Sequence, residues 1–438
     1  MTTMPPVVRD LSARLGYERV LVSGPAFEAA ALVWNDAVRH RPVAVVRPLD
    51  AAGVAAAVLA AREQGLPLSV RGGGHDWLGR AVRDGGLVID LAGMRRVTVD
   101  AAAGVATVEG GATVRDVIAA AAPHGLVAAA GTVGGVGMAG LTLGGGYGPL
   151  LGRFGLAADN LLGAEVVLAD GSVVTAGPDL LWALRGGGGN FGVVTAMRIA
   201  LHPVRRLLTG FAMYPLADAA AVLGRLRELL AAAPDELTVP SGVGSGPDGE
   251  PAAFLAPVWC GDEAEGRDAL GALGLSTVAS VTYPELLAQF DQYAAGGRHH
   301  AMRTRSVPAH TPEVVEALLA AGRSRTSPLS GVVVHHFHGA ATRVAGDATA
   351  VGERRDHLMV EIGAVWQPHE PAGPHRAWTD DVWSALAPVA LPGGYPNLLR
   401  PDDREQVAHA YGANAGRLRE VKVRYDPDGV FTATPLPS

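Results

Sequence analysis

A histidine directly behind three glycines is the first feature of the sequence that could do chemistry. The run Arg71-Gly72-Gly73-Gly74-His75-Asp76 follows a strand predicted at residues 68–70. Consecutive glycines can take positive φ, so that their N–H groups converge on an anion such as a pyrophosphate. A neutral imidazole is also a nucleophile. The run therefore indicates an anion-binding loop with a reactive histidine. An exposed histidine on a glycine-rich turn is the alternative.

Two further glycine clusters lie at residues 131–148 and 185–194. Side chains are sparse in the first of these, which indicates that a flat ligand or another backbone approaches it closely. The second contains Gly187, Gly189 and Gly192 at the spacing of a dinucleotide motif. That motif needs a strand before it and a helix after it, whereas the sequence predicts the reverse order. A Rossmann site is therefore rejected.

The elements that must position these clusters indicate an α+β protein with two packed units, because 438 residues exceed what one core usually supports. The first 200 residues alternate short β-branched strands with Ala-rich helices, predicted at 51–64 and 114–122. Asp50 is expected to cap the first helix, and Gly65 to end it. Beyond Pro203 the glycine clusters stop and longer elements begin. A single charged helix is predicted at 402–425.

Composition excludes several classes of partner. A net charge of -7 and an aromatic content of 5% argue against nucleic acid. Cys260 is the one cysteine, so no intrachain disulfide is expected, and no thiolate or histidine pattern predicts a metal site. Residues 1–8 do not resemble an export signal, and the uncharged stretch 125–152 is interpreted as glycine-rich loops, not as a membrane helix. A reducing, cytoplasmic location is the expectation.

Taken in order, the three clusters resemble the flavin-binding domain of the vanillyl-alcohol oxidase superfamily, of the para-cresol methylhydroxylase type. The stretch 154–160 and the run Tyr425-Asp426-Pro427-Asp428 extend the resemblance to its berberine-bridge-enzyme-like branch, over nearly the whole chain. The resemblance implies an FAD-binding domain at residues 1–204 and an inserted substrate domain with an antiparallel sheet at 205–394. Residues 395–438 are expected to return to the FAD domain.

The resemblance also implies that FAD is bound covalently, through a ring nitrogen of His75 and the 8α-methyl carbon of the flavin. Many members add a second link from a cysteine, but this chain has Val133 at that position, so a single bond is expected. The residues implied to bind the cofactor are Arg71, Gly72, Gly73, Gly74, His75, Asp76, Gly79, Gly131, Thr132, Val136, Gly137, Gly140, Leu141, Gly148, Val194 and Asn397.

The implied reaction is hydride transfer from a substrate to the flavin, with O2 as acceptor and H2O2 as product. Val136 occupies the position of a gate residue, where a small side chain is typical of oxidases.

A base that accepts a substrate proton assists hydride removal. Tyr395, in Tyr395-Pro396-Asn397, is the first candidate, with a packed tyrosine as the alternative. His338 and Glu361 follow, on neighbouring strands of the second domain. Alternation along the strand places His336 and His338 on one face and His335 on the other.

The substrate class stays open at this point. A small or medium natural-product intermediate is preferred, and a carbohydrate oxidase is the alternative. The C-terminal run 431–436 departs from the family pattern near the flavin. A protein that retains the flavin without net redox turnover, as a cyclase or a binding protein, is therefore a third hypothesis. The sequence does not specify an oligomeric state.

Overall fold

The structure is a computed structural model and describes residues 5–437, apart from the side chain of Tyr293. The prediction about an export signal therefore lies partly outside the described residues. The strands are β1 (Val20–Leu21), β2 (Ala44–Val46), β3 (Leu68–Arg71), β4 (Leu87–Asp90), β5 (Val97–Asp100), β6 (Val105–Glu109), β7 (Leu126–Ala128), β8 (Leu161–Val167), β9 (Val173–Thr175), β10 (Val193–Pro203), β11 (Leu207–Thr209), β12 (Ala212–Pro215), β13 (Leu237–Thr238), β14 (Ser241–Ser245), β15 (Pro251–Leu255), β16 (Val258–Trp259), β17 (Ala279–Val281), β18 (His299–Val307), β19 (Gly331–Phe337) and β20 (His357–Trp366).

Helices alternate with these strands in the first part of the chain and cover one face of the sheet in the second. They are α1 (Pro6–Leu15), α2 (Pro25–Ala31), α3 (Ala51–Glu63), α4 (Val114–Ala121), α5 (Met138–Leu143), α6 (Leu151–Phe154), α7 (Pro178–Leu184), α8 (Ala219–Leu230), α9 (Glu263–Ala272), α10 (Tyr283–Asp291), α11 (Pro312–Arg323), α12 (Ala340–Arg343), α13 (Ala372–Leu386), α14 (Arg404–His409) and α15 (Ala415–Tyr425). Within residues 5–437, none of them is long and apolar enough to cross a membrane.

The first 203 residues build two sheets around the glycine clusters. A small sheet has the order β1-β2-β4-β3, with β2, β3 and β4 parallel. A larger antiparallel sheet has the order β5-β6-β10-β8-β9, with β7 also paired to β10. The predicted helix 51–64 is confirmed as α3, where an Asp50 carboxylate oxygen accepts a hydrogen bond from the Gly53 N–H at 2.8 Å. Gly65 follows it with φ of +60°.

The second part of the chain is dominated by a six-stranded antiparallel sheet in the order β12-β15-β14-β19-β20-β18. Val334, Val360 and Ile362 belong to a buried cluster that also contains residues of α8, α11 and α13, so the even-numbered positions of β19 and β20 face these helices. The odd-numbered positions face the first domain, since Met359 packs with Leu151. This arrangement confirms the predicted two-domain α+β fold with an antiparallel second sheet.

The domain limits 1–204, 205–394 and 395–438 stay a prediction. One buried cluster contains only residues from 208 to 389, which agrees with an inserted domain. However, Leu207, Cys260 and Tyr283 pack into the core of the first domain. The two units therefore share an apolar boundary, and the chain does not divide cleanly there.

Two sequence predictions about elements were wrong. The single helix expected at 402–425 is interrupted between α14 and α15, because Gly412 takes φ of +49°. At that point the Tyr411 backbone contacts Gly352 so closely that a Cβ on Gly352 would overlap it. The glycine-rich stretch 125–152, interpreted as loops, contains β7, α5 and α6. At Gly412 a close backbone contact outweighs the local preference of the sequence.

Candidate active site

The glycine loop that follows β3, at residues 71–76, packs directly against the glycine cluster at residues 131–148, called the second cluster from here on. A Cβ added to Gly73 would lie 2.6 Å from the carbonyl oxygen of Gly135 and would overlap Gly137. Gly137 is also bridged to Thr113, which precedes α4. Only glycine permits this approach, and it brings another backbone close to the cluster at residues 131–148, one of the two possibilities that its sparse side chains indicated.

His75 leaves this loop and lines a cavity of about 290 Å³, together with Trp34, Gly73, Val133 and Asp291. Burial is the largest influence on the imidazole and lowers the pKa of His75 to about 4, although Asp291 and Asp76 act in the opposite direction. The ring is therefore neutral at physiological pH and can act as a nucleophile.

The residues around this cavity fit a flavin dinucleotide. The Arg71 Nε is buried without a hydrogen-bond partner among the described residues, beside Gly74. A Cβ on Gly140 would meet no heavy atom within 4 Å, which leaves open space above the second cluster. Val133 lines the cavity and has no thiol to offer. A neutral imidazole, an unpartnered guanidinium nitrogen and uncovered backbone suit a ligand with an electrophilic ring and a pyrophosphate.

Hydrogen bonds join the first cluster to the C-terminal segment. Asp76 pairs with Arg80 at 2.6 Å, and the same guanidinium donates to the Asn397 carbonyl oxygen at 2.6 Å. The Asn397 side chain in turn donates to the Gly140 carbonyl oxygen at 3.1 Å. The structure therefore brings Asp76, Asn397 and Gly140 together, although they are far apart in sequence. Beside them, the Gly79 N–H donates a turn hydrogen bond to the Asp76 carbonyl oxygen at 3.1 Å, and a Cβ on Gly79 would overlap Val38.

The remaining predicted cofactor residues lie along the second cluster or in the core. Gly131 is next to Leu141, with a would-be Cβ 3.6 Å from the Leu141 Cδ1. A Cβ on Gly148 would overlap the Ala130 carbonyl oxygen. Thr132 and Val136 are half-buried in the same loop. Val194 is a buried core residue of β10, at 4% exposure, so it supports the loops from beneath.

Glu361 and His335 face the first domain from the sheet of the second domain, where they meet Tyr147 of the first domain. We call these three residues the carboxylate cluster. The Tyr147 hydroxyl donates to Glu361 at 2.9 Å, and the His335 Nε2 lies 3.4 Å from the same carboxylate. The side chains of His335 and Glu361 keep 19% and 22% of their exposure, so a small molecule can reach them. The Tyr395 ring meets the edge of Tyr147 with centroids 5.2 Å apart.

The carboxylate of Glu361 is held in its ionised form. Burial alone would raise the pKa of Glu361, but His335 and the Tyr147 hydroxyl outweigh it and keep the pKa below its ordinary value. Tyr395 differs, because burial raises its pKa to about 12 and its hydroxyl accepts a hydrogen bond from the Gly146 N–H at 2.9 Å. Of these two candidates, Glu361 is the one equipped to accept a proton near neutral pH.

The structure does not bring the two further candidates, His338 and Glu361, together. Glu361 is the cross-strand partner of Val333, so it shares a face with His335. His336 and His338 stack on each other at 4.3 Å elsewhere, where His336 contacts Asp356 at 2.9 Å. The His338 ring contacts Gly152.

Sequence reasoning missed His335 and Tyr147. Alternation along β19 gave the correct separation of His335 from His336, but the register between β19 and β20 was needed to decide which of them joins Glu361. Tyr147 stood inside the second glycine cluster, where an isolated aromatic residue among glycines was the available signal.

Comparisons with known proteins agree with this geometry. Residues 42–177 match the family described as FAD binding domain, and residues 394–435 match the family described as berberine and berberine like. FAD-linked oxidoreductase aurO of Gibberella zeae is 32% identical over 433 residues, covering 93% of this chain and 83% of that protein. (R)-6-hydroxynicotine oxidase of Paenarthrobacter nicotinovorans is 32% identical over 433 residues, covering 92% of this chain and 93% of that protein.

The fold comparison leads to the same group. The crystal structure of 6-hydroxy-D-nicotine oxidase from Arthrobacter nicotinovorans superimposes with a TM-score of 0.86 at 29% identity, covering 96% of this chain and 97% of that one. Similarity thus extends over nearly the whole chain, and the glycine clusters at residues 71–76 and 131–148 lie within the matched FAD-binding region. The chain belongs to the berberine-bridge-enzyme-like FAD-dependent oxidoreductases of the vanillyl-alcohol oxidase superfamily.

Proposed function

We propose that this protein is an oxidase that carries FAD covalently on His75, takes a hydride from a small or medium organic substrate and passes the electrons to O2, giving H2O2. The observation that carries the proposal is the ionised, partly exposed Glu361 carboxylate facing the FAD domain. When bound, the flavin supplies the hydride acceptor. The protein's own residues then have to orient the substrate and remove its proton.

Glu361 is the group proposed to accept that proton. Loss of hydride from a carbon next to O–H or N–H is easier when the heteroatom's proton leaves to a base in reach. Tyr147 donates to one carboxylate oxygen at 2.9 Å, which fixes the side chain and leaves its other oxygen for a substrate. His335, on the same side, favours the charged form before the substrate arrives.

The surroundings of the carboxylate cluster support a substrate with few polar groups. Phe337, Leu151, Leu156 and Met359 form a buried apolar group, and Tyr147 and Tyr395 pack against it. Such walls exclude water and suit an aromatic or alicyclic natural-product intermediate better than an oligosaccharide, whose many hydroxyls would need partners. A relative that shares both domains is named for a small N-heterocyclic substrate, which is consistent with this preference.

Two further parts of the proposal rest on single residues. Val136 is half-buried beside Val133, and a small side chain at this position supports reaction with O2. Cys260 is buried, and its pKa is raised to about 12 by burial, so it is an inert thiol that suits a cytoplasmic protein.

The test is to follow the flavin absorbance of the purified protein under anaerobic conditions with a substrate panel, then to admit air and measure H2O2. Phenolic and N-heterocyclic compounds are expected to bleach the flavin, and air to restore the colour with one H2O2 per cycle. Rapid bleaching by oligosaccharides would redirect the assignment to a carbohydrate oxidase. Product formation without bleaching or O2 uptake would contradict redox turnover altogether.

A further inference from the structure

The indole ring of Trp34 connects the histidine of the glycine loop to the second domain. It stacks on the His75 imidazole with centroids 4.5 Å apart and an interplanar angle of 16°. On its other side it stacks on His300, the second residue of β18, with centroids 3.8 Å apart and an angle of 30°. Trp34 is therefore the middle ring of a stack of three that crosses between the domains, with His75 at one end and His300 at the other.

Hydrogen bonds hold this stack from both sides. The Trp34 N–H donates to the Gly74 carbonyl oxygen at 2.8 Å, which ties the residue to the loop that carries His75. Its indole N–H donates to the Ala294 carbonyl oxygen at 2.9 Å, in the second domain. The neighbouring Asn35, buried at 3% exposure, accepts from the His300 N–H at 2.9 Å and donates to the His300 carbonyl oxygen at 3.0 Å. The indole plane is thus fixed independently of His75.

The same ring forms a wall of the cavity that His75 lines. Because the imidazole lies almost parallel to a fixed indole, its rotation about the Cβ–Cγ bond is restricted and its edge has a defined direction. The lone pair of the reacting imidazole nitrogen lies in the plane of the ring. The orientation of the ring therefore decides whether this nitrogen can attack the flavin.

We propose that Trp34 is a positioning residue for attachment of FAD to His75, with His300 as its outer support. The inference rests on the covalent link proposed above. Attachment forms a bond between an imidazole nitrogen and the flavin 8α carbon, and breaks one imidazole N–H bond and one methyl C–H bond. The two hydrogens leave as protons and, with two electrons, pass to O2, the oxidant of the proposed reaction, which leaves as H2O2.

The experiment compares the covalent and the non-covalent FAD in purified wild-type protein and variants. Covalent FAD is read from the intact mass, and total FAD from visible absorbance before acid precipitation. Trp34→Leu is expected to lower the ratio of covalent to non-covalent FAD at least tenfold, while Trp34→Phe, which can still stack, retains most of it. An unchanged ratio in Trp34→Leu, or equal loss in both variants, would overturn the positioning role.

Trp182→Leu is the matched control. Trp182 is buried in the first domain and its indole N–H donates to the Asp347 carbonyl oxygen at 2.8 Å, so it makes the same kind of contact between domains without approaching His75. In Trp182→Leu the ratio of covalent to non-covalent FAD should equal that of the wild type, even if the melting temperature of the variant falls.

If Trp34→Leu does not fold, His300→Leu is expected to lower the ratio by removing the outer ring, and an unchanged ratio in that variant would contradict the proposal. Wild-type protein with no covalent FAD would instead refute the link to His75.

Discussion

His75 and Glu361 lie on opposite sides of the boundary between the two domains, and both are held in their deprotonated forms by different means. For His75 the largest influence is burial, which lowers the pKa to about 4 because a charged imidazole is poorly solvated beside Trp34. For Glu361 burial acts the other way, and the contacts from His335 and Tyr147 reverse it. One group depends on an apolar environment, and the other depends on specific partners.

This difference predicts how each site responds to mutation. Removing a single polar neighbour should leave the nucleophile at His75 neutral, since desolvation depends on many surrounding atoms. Removing a partner of Glu361 should shift its pKa upward, since burial is then less opposed. This difference also matches the two proposed roles. The neutral imidazole of His75 attacks the flavin once, whereas the carboxylate of Glu361 accepts a proton in every turnover.

The largest effect is expected from His75→Ala. The substitution removes the nucleophile, so the mass of one FAD should disappear completely from the denatured protein, while non-covalent FAD remains in the native protein. Intact mass combined with the visible spectrum of the acid pellet measures both quantities. His40→Ala is the control, because this half-buried histidine of the first domain bonds to the Val82 carbonyl oxygen at 2.6 Å and does not line the cavity. A covalent flavin in His75→Ala would contradict the assignment.

The next largest effect, on the rate of flavin reduction, is expected from Glu361→Gln. This substitution keeps the shape of the side chain, but the amide cannot accept the substrate's proton. The rate of anaerobic flavin reduction should fall by about 10²–10⁴-fold, as is typical for loss of a general base. Covalent FAD should stay at the wild-type level, because Glu361 is not among the residues that line the cavity of His75. Stopped-flow absorbance measures the rate.

His338→Gln gives a matched comparison for Glu361→Gln. It removes another buried titratable side chain of the same domain, whose pKa burial lowers to about 4, but it lies against Gly152 and not in the carboxylate cluster. Reduction in this variant should match the wild type. If His338→Gln slowed reduction as much as Glu361→Gln, membership of the carboxylate cluster would not explain catalysis.

Local sequence signals predicted most of the elements. The Asp50 cap and the following Gly65 set the limits of α3 within one residue. The glycine loop at residues 72–74 was also assigned correctly to the end of a strand. These features depend on neighbours in sequence, which a single sequence displays. The break at Gly412 was missed, because it depends on contact with Gly352.

The candidate site was predicted less completely, for a related reason. His75 could be selected because three glycines directly precede it in the sequence. Glu361 was selected without its partners, since alternation fixes the two faces of each strand and says nothing about which faces coincide between strands. The register of β19 against β20 supplies that information and brings His335 to Glu361. Long-range pairing, not residue chemistry, was the missing part.

A smaller effect is expected from His335→Phe. Loss of the imidazole removes the largest influence that lowers the pKa of Glu361, so burial should raise that pKa. A base with a higher pKa is protonated at higher pH. The acid limb of the pH profile of flavin reduction should therefore move upward, while the rate at pH 8 changes little. An acid limb that does not move would show that His335 does not control the ionisation of Glu361.

The smallest effect is expected from Tyr395→Phe, which tests the first candidate of the sequence against Glu361. The variant loses one hydrogen bond from the Gly146 N–H and should be destabilised by about 1 kcal/mol. Flavin reduction should slow by less than about tenfold, well below the loss typical of a missing general base. Tyr411→Phe, which removes a buried hydroxyl bonded to the Pro435 carbonyl oxygen at 3.0 Å, is the matched control for stability in urea unfolding. A loss of about 100-fold in Tyr395→Phe alone would transfer the proton-accepting role from the carboxylate to the phenol, because a general base is the kind of group whose removal costs that much.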